Sequence, residues 1–267
     1  MIEVSHESPI DLLTYSQTYN DYDYALVHLF EHHENYFEYF VESLRRGRTV
    51  YLDNSIFELG KSFDQERYAY WINKLHPTLY IVPDTLEDSH ETINQYSQWL
   101  DTQSDNITAD CIKMGVVQGK TWTDLVECYQ WMSVYADMIA ISFDYSYYES
   151  TGYGTDPLER MTSGRQRFVN QLISEGIWNW NKPHHLLGCS LAKEFRFYTN
   201  NNIYNITSID TSNPVVAAIK GLKYRGVMGL AEKPKSLLAD LIAHKVTDNE
   251  KGLVDYNANM FKKILGR

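Results

Sequence analysis

The 267-residue sequence has few cysteines, no long apolar run and no excess of positive charge. No stretch approaches the roughly 18 apolar residues that a membrane-spanning helix needs, so no membrane association is expected. The first ten residues, MIEVSHESPI, contain no basic region before an apolar run, which argues against a secretory signal. The three cysteines, Cys111, Cys128 and Cys189, are scattered and form no zinc or redox motif. Such cysteine usage fits a reducing compartment, and we expect a cytoplasmic protein.

The charge of the chain is unevenly distributed. The net charge of −11 argues against a protein that binds polyanions through bulk charge. From residue 214 to residue 267, however, ten Lys and Arg residues stand against five acidic residues, a local charge of about +5. This C-terminal segment could therefore contact phosphates. A solvated helical tail would have the same composition, so both interpretations stay open.

Short apolar runs alternate with longer amphipathic segments along the chain. Runs rich in β-branched and aromatic residues predict eight strands at 2–5, 24–29, 49–52, 79–82, 112–117, 138–143, 185–188 and 204–209. Helical spacing or helix-start signals predict helices at 34–45, 88–100, 121–136, 165–175 and 214–221. This alternation favours an α/β fold with a parallel sheet, a (β/α)8 TIM barrel, over a doubly wound open sheet. We expect one domain, with the barrel at about 1–222 and a helical, basic extension at about 223–267.

Polar side chains follow most of the predicted strands, where TIM barrels concentrate their chemistry. The residues at these positions are Glu7, His28, Asp53, Asp84, Gln118, Asp144, Ser190 and Asp210. An Asp at such a junction is often only the N-cap of the next helix. Four carboxylates and a glutamine at one mouth exceed what folding requires, and they predict a functional site.

Five segments that contain or border these residues have recognisable sequences. They read YLDNSIFELG, IVPDTLED, MGVVQG, HLLGCS and SIDTSNP, in that order between residues 50 and 214. Together they resemble the tRNA-guanine transglycosylase family, which includes relatives that insert 7-deazaguanines into DNA. The family's segments read Asp-Ser-Gly-Gly-Phe-Gln, Phe-Asp-Glu-Cys, Gly-Ile-Val-Gln-Gly, Tyr-Leu-Met-Gly-Val-Gly and Phe-Asp-Cys-Val-x-Pro.

The chain also departs from the family. No cysteine follows Cys189, so the family's structural zinc site has no counterpart, and we expect neither a metal nor another cofactor. Ser142 and Phe143 replace the Gly-Gly of the base-binding strand, and the chain is shorter than a typical member. It is most similar to a compact, zinc-less 7-deazaguanine DNA transglycosylase of the phage type.

The resemblance implies roles for the catalytic carboxylates. Asp210 corresponds to the nucleophile that holds the sugar covalently while two bases exchange, a strategy that divides one difficult step into two. Asp53 corresponds to the general acid/base, or at least to a ligand of the purine edge, in a pair of carboxylates like that of retaining glycosidases.

The resemblance also implies a binding pocket for a guanine-like base. Asp84 would accept hydrogen bonds from the base, and Gln118 would donate one to its carbonyl oxygen. For Gln118, a buried amide that binds loop backbone is the alternative. The remaining predicted contacts are a sandwich by Phe57 and Leu187, with Ser142, Phe143, Asp144 and Gly188 along the base edge. Phe57 could instead be a core residue, and Asp144 could bind a positively charged 7-substituent or cap the following segment.

These roles imply a pentosyltransferase. It would replace guanine in a polynucleotide, DNA in preference to tRNA, with a 7-deazaguanine, after flipping the target base out of a duplex. A nucleoside or N-glycoside hydrolase using the same carboxylates is one alternative, and a non-catalytic subunit that binds base or polynucleotide is another. A homodimer is compatible with all three interpretations, and a phage protein would act in the cytoplasm of its host.

Overall fold

A computed structural model describes residues 1–103, 105–143, 145–189, 191–199, 204–230, 234 and 236–267. All eight predicted strands are present, with ends that differ from the predicted ones by a few residues. They are β1 (Glu3–Ser5), β2 (Asp23–Leu26), β3 (Val50–Asp53), β4 (Leu79–Ile81), β5 (Ile112–Val117), β6 (Met138–Ile141), β7 (His184–Leu186) and β8 (Ile206–Asp210).

The strands form one sheet in the order β1-β8-β7-β6-β5-β4-β3-β2. The pairs β1–β8, β2–β3, β3–β4, β4–β5 and β5–β6 are parallel. The first strand pairs with the last, and from β2 to β8 each strand lies beside the next one in sequence. This is the topology of a (β/α)8 barrel. The predicted fold class is confirmed, and the open-sheet alternative is wrong.

Twelve α-helices lie within the described residues. They are α1 (Leu13–Ser16), α2 (Val27–Phe30), α3 (Glu34–Arg45), α4 (Ile56–Leu59), α5 (Gln65–Leu75), α6 (Ser89–Gln103), α7 (Trp122–Tyr135), α8 (Ser146–Thr151), α9 (Pro157–Ser174), α10 (Phe195–Thr199), α11 (Asn213–Ile219) and α12 (Asp248–Ile264). Short 3-10 turns occur at Ile10–Leu12, Ala192–Glu194, Gly226–Met228 and Ala239–Leu241. None of the helices in this part of the chain is both long and apolar enough to cross a membrane.

The helix predictions succeed for some helices and fail for others. Helix α3 has the predicted bounds, and α7 begins after the predicted Thr121, whose side chain forms a reciprocal capping box with Asp124. The predicted helix 165–175 is wrong at its start, because α9 begins eight residues earlier, at Pro157, after the capping side chain of Asp156. The predictions missed α5, which the side chain of Asp64 caps.

The chain divides into two compact units. The central unit comprises residues 22–142 and 181–184, and the terminal unit comprises residues 1–21, 143–180 and 185–267.

In the central unit, the strand residues are almost wholly buried, and aromatic rings fill the space between strands and helices. Tyr68 of α5 is fully buried, and its hydroxyl donates to the carbonyls of Leu52 on β3 and Ile81 on β4. One side chain thus ties two adjacent strands to their covering helix. A tyrosine suits this position because its ring is apolar while its hydroxyl satisfies buried carbonyls.

The terminal unit contains the predicted C-terminal helical extension. Helix α12 packs Val254 and Ala258 against Val215 and Ala218 of α11 in one buried apolar cluster. Asn257, also fully buried on α12, donates to the carbonyls of Pro214 and Leu222 and accepts from the Tyr224 amide. The last helix therefore supports the helix that directly follows β8.

Candidate functional site

In the central unit, β3 ends at Asp53, the predicted acid/base. Oδ2 of Asp53 accepts a hydrogen bond from the Tyr24 hydroxyl of β2 at 2.6 Å, and Oδ1 accepts one from the Ser55 amide. Ser55 holds a left-handed backbone with φ of 61°. The Asp53 carboxylate is therefore fixed at the strand end by partners on two neighbouring elements. The predicted strand 24–29 is too long, and His28 lies in α2 rather than at a strand end.

Beside this strand end, Asp84 and Gln118 form one buried network with Asn54. Asn54 donates to Asp84 Oδ1 at 2.7 Å, and Gln118 donates to Asp84 Oδ2 at 2.6 Å. The Gln118 amide oxygen accepts from the Glu87 amide at 2.7 Å. All three network side chains are at most 2% exposed. The alternative stated for Gln118 was a buried amide bound to loop backbone, and the side-chain oxygen is bound in this way. Of the two N–H groups, one donates to Asp84 and the other can bind a further partner.

Burial raises the pKa of Asp84 from 3.8 to about 6, although the hydrogen bonds from Asn54 and Gln118 act in the opposite direction. Each carboxylate oxygen already accepts one N–H and retains capacity for another. Asp84 can therefore accept a fork of two N–H groups from a planar ligand when ionised. When protonated, it can donate to a carbonyl.

The raised pKa of Asp84 predicts a pH-dependent loss of stability. The folded protein retains a proton that the unfolded chain loses, so this contribution favours folding at low pH and disappears as pH rises through about 6. Between pH 4 and pH 7, the free energy of unfolding of the parent should fall by about 2–3 kcal/mol relative to that of Asp84→Asn. Chemical denaturation of both proteins at each pH measures this difference. Parallel pH profiles would mean that Asp84 titrates alike in the folded and unfolded states.

In the terminal unit, β8 ends at Asp210, the predicted nucleophile, which is 5% exposed. Its Oδ1 accepts hydrogen bonds from His185 Nε2 at 2.8 Å and from the Gly188 amide at 3.2 Å. Among the described residues, no donor contacts Oδ2. Asp210 does not cap α11, whose N-cap is Ser212 without a side-chain bond. The Thr211 hydroxyl oxygen, next to Asp210 in sequence, accepts from the Asn213 amide.

His185 is a site residue that the sequence analysis missed. It lies on β7, is fully buried, and bonds Ser208 Oγ through Nδ1 at 2.8 Å while Nε2 bonds Asp210. Ser208 and Asp210 are two residues apart on β8, so their side chains lie on the same face of the strand. The available signal was on β8, where Ser208 and Asp210 place two polar side chains on one face of a buried strand.

A buried ion pair supports the other donor to Asp210. Arg165 of α9 and Glu194 are both fully buried and form a fork, with N–O distances of 2.7 and 2.9 Å. Arg165 also donates to the carbonyls of Leu187 and Gly188. Burial alone would lower the pKa of Arg165, but the Glu194 carboxylate outweighs it and raises that pKa. Arg165 therefore fixes the peptide segment whose Gly188 amide donates to Asp210.

Gly188 has no space for a side chain. Its φ is +62°, and a Cβ atom there would lie 2.2 Å from the ring of Phe143. Phe143 is thus buried against the β7 end. Leu187, next to Gly188, is half-buried and joins the Arg165 network through its carbonyl.

The remaining predicted base-binding residues have different outcomes. Phe57 on α4 is 43% exposed, so its alternative as a core residue is wrong. Ser142 follows β6 in the central unit and is half-buried. Asp144 and Ser190 lie outside the described residues. In the described part of the chain, no group of three or more His, Cys, Asp or Glu side chains could hold a metal ion.

Known proteins with sequences or structures similar to this chain do not indicate what the site does. No protein-family model and no curated protein sequence matches the chain. One similar solved structure is dihydrodipicolinate synthase DapA-2 from Bacillus anthracis, with 13% sequence identity over 76% of this chain and 75% of that one, and a TM-score of 0.36. A similarity this distant says nothing about the chemistry of the present protein.

Proposed function

We propose that the protein is a base-exchange transglycosylase that replaces guanine in a polynucleotide with a 7-deazaguanine through a covalent intermediate on Asp210. The observation that carries the proposal is the environment of this carboxylate. Both hydrogen bonds that the described residues give it end on Oδ1, and Oδ2 has no such donor. A carboxylate held by one oxygen, with the other unengaged, is suited to attack an electrophilic carbon.

The chemistry parallels that of a retaining glycosidase. Oδ2 bonds to the anomeric carbon while the bond from that carbon to the outgoing guanine breaks, and the incoming base then reverses the process. The guanine leaves with the electron pair of the broken bond and takes a proton from a general acid. The resemblance implies Asp53 for this role, and its bond to Tyr24 fixes one of its oxygens.

The Asp84 network supports recognition of a guanine-like edge. Such an edge presents two N–H groups beside a carbonyl oxygen, and Asp84 and Gln118 together offer a carboxylate and a spare N–H. Their mutual hydrogen bond, and those from Asn54 and Glu87, hold both groups in place before a ligand arrives. A rigid, buried polar set of this kind rejects ligands that leave its groups unpaired.

The segment after β8 supports a polynucleotide partner. Residues 211–230 contain three cations, Lys220, Lys223 and Arg225, and no acidic residue, in a chain of net charge −11. All three cations are exposed. Between the last two, the buried Tyr224 donates its hydroxyl to Asn213, three residues after Asp210. Lys223 and Arg225 therefore flank a residue that is bonded to the start of α11, the helix that follows the proposed nucleophile. DNA remains the favoured polynucleotide.

Neutralising these two cations should weaken polynucleotide binding and its dependence on salt. For Lys223→Gln/Arg225→Gln, the plot of log affinity for duplex DNA against log salt should become shallower by about two, since each phosphate contact contributes about 0.9. Fluorescence anisotropy at several salt concentrations measures the slope. The matched control is Lys245→Gln/Lys251→Gln, which removes the same charge from residues held by Asp11 and Tyr15. Equal slopes for both double variants would reject a specific role of the segment.

The proposed reaction is tested by incorporation of labelled guanine. The protein is incubated with duplex DNA or with tRNA plus labelled guanine, and radioactivity in the polynucleotide is counted. Incorporation that requires Asp210 supports the proposal, and the better substrate identifies the polynucleotide. Release of unlabelled guanine without incorporation would instead identify a hydrolase. Binding with neither result would identify a non-catalytic subunit.

A further inference from the structure

We propose that His185, oriented by Ser208, is a positioning residue that makes Asp210 a good leaving group in the second half of the exchange. The inference rests on the proposed function and assigns one of its two chemical steps to a residue outside the family resemblance. It follows from the hydrogen bond that His185 Nε2 makes to Oδ1 of Asp210, which leaves Oδ2 for the sugar.

The hydrogen bonds around His185 favour one tautomer. Asp210 Oδ1 accepts a hydrogen bond from the Gly188 amide, which shows that this oxygen acts as an acceptor. In its bond with His185, the hydrogen is therefore on His185 Nε2. In a neutral ring, Nδ1 is then an acceptor, and the Ser208 hydroxyl donates to it. Ser208 thus selects the tautomer that presents an N–H to Asp210. Because all three groups are buried, solvent cannot replace these bonds.

The N–H of His185 affects the two half-reactions differently. In the first half, the bond from Oδ2 to the anomeric carbon forms and the bond to guanine breaks, so negative charge leaves the carboxylate. In the second half, a nitrogen of the incoming base bonds to that carbon and gives its proton to the general base, the deprotonated form of the acid of the first half, while the electron pair of the carbon–Oδ2 bond returns to Asp210. Negative charge then develops on the carboxylate, and a fixed donor at Oδ1 stabilises it in the transition state. The donor therefore accelerates release of the sugar and gives no advantage to attack.

The test compares adduct with turnover in His185→Phe. With labelled duplex DNA and saturating guanine, we expect exchange to slow about tenfold. The fraction of enzyme trapped as a covalent adduct on a denaturing gel should rise at least threefold. His185→Gln, whose side-chain amide can offer an N–H to Asp210, should recover most of the exchange rate. Ser208→Ala should shift both quantities in the same direction as His185→Phe, by less.

The matched control is His184→Phe on the same strand. His184 is equally buried, but its ring bonds the Tyr129 hydroxyl instead of a carboxylate. This variant should lose stability without a higher adduct fraction. If adduct and exchange fall in the same proportion in folded His185→Phe, His185 is only structural and the proposal is overturned.

A measurement on the parent keeps the proposal testable if His185→Phe does not fold. Nitrogen NMR of the imidazole ring should show hydrogen on Nε2, and its signal should shift in Asp210→Asn. A ring with hydrogen on Nδ1 alone would refute the assignment. Absence of both adduct and exchange in the parent would instead remove the transglycosylase proposal, and the role in release with it. The NMR result would still decide whether His185 is paired with Asp210.

Discussion

Asp210→Asn is expected to abolish base exchange while leaving the folded structure nearly unchanged. The side-chain oxygen of Asn can still accept from His185 Nε2 and the Gly188 amide, so both hydrogen bonds of the parent can persist. The amide nitrogen then stands in place of Oδ2 and cannot form an ester with the anomeric carbon. Incorporation of labelled guanine should fall at least about a thousandfold, as expected when a nucleophile is removed. No adduct should be trapped.

The control for this variant is Asp255→Asn, in the same unit. Asp255 on α12 accepts a hydrogen bond from the Tyr15 hydroxyl at 2.7 Å, a role that an Asn oxygen can fill. Both variants should melt within a few degrees of the parent, and Asp255→Asn alone should retain exchange. Near-parental exchange in Asp210→Asn would show that Asp210 is not the nucleophile.

The fold was predictable because its signals are local. An apolar strand such as β6 is bounded by the polar residues Asp137 and Ser142, and the capping pair of Thr121 and Asp124 marks the start of α7 within four residues. Where the pattern was interrupted, the prediction failed. Gly164 lies in the middle of α9, where an added Cβ atom would lie 2.1 Å from the Tyr148 carbonyl oxygen of α8. Close helix packing, a tertiary requirement, thus obscured the first half of that helix.

The site was predictable only in part, because its hydrogen bonds join residues that are distant in sequence. Residues at strand ends, such as Asp53, Asp84 and Asp210, can be identified from the strands alone. Their partners cannot, because the bond between His185 and Asp210 joins residues 25 positions apart on different strands. The pairing of Gln118 with Asp84 likewise depends on the orientation of buried amides, which no sequence pattern records.

Loss of the Arg165 side chain should be the most damaging change to stability, and it should also disturb the site. Arg165→Ala leaves the Glu194 carboxylate buried without its partner and removes the donors of the Leu187 and Gly188 carbonyls. Breaking a buried ion pair from one side typically costs about 3–5 kcal/mol. We therefore expect a loss of that size in the free energy of unfolding, measured by chemical denaturation.

The control for Arg165→Ala lies on the same helix. Arg160 pairs with Glu149 of α8 at a similar distance, 2.8 Å, but both side chains are about a third exposed. Arg160→Ala should cost less than about 1 kcal/mol, since water replaces an exposed partner. Equal losses for the two variants would show that burial of the Arg165–Glu194 pair does not determine its contribution.

Replacing both members of the buried pair distinguishes the effect of the pair on stability from its effect on the exchange rate. In Arg165→Met/Glu194→Leu no charge remains buried, so the double variant should regain part of the stability that Arg165→Ala loses. It cannot restore the hydrogen bonds to the carbonyls of residues 187 and 188. The Gly188 amide N–H, which lies in the same peptide plane as the Leu187 carbonyl, then loses its fixed orientation toward Asp210 Oδ1. A double variant that is stable but slow in exchange would show that this ion pair positions the amide beside the proposed nucleophile.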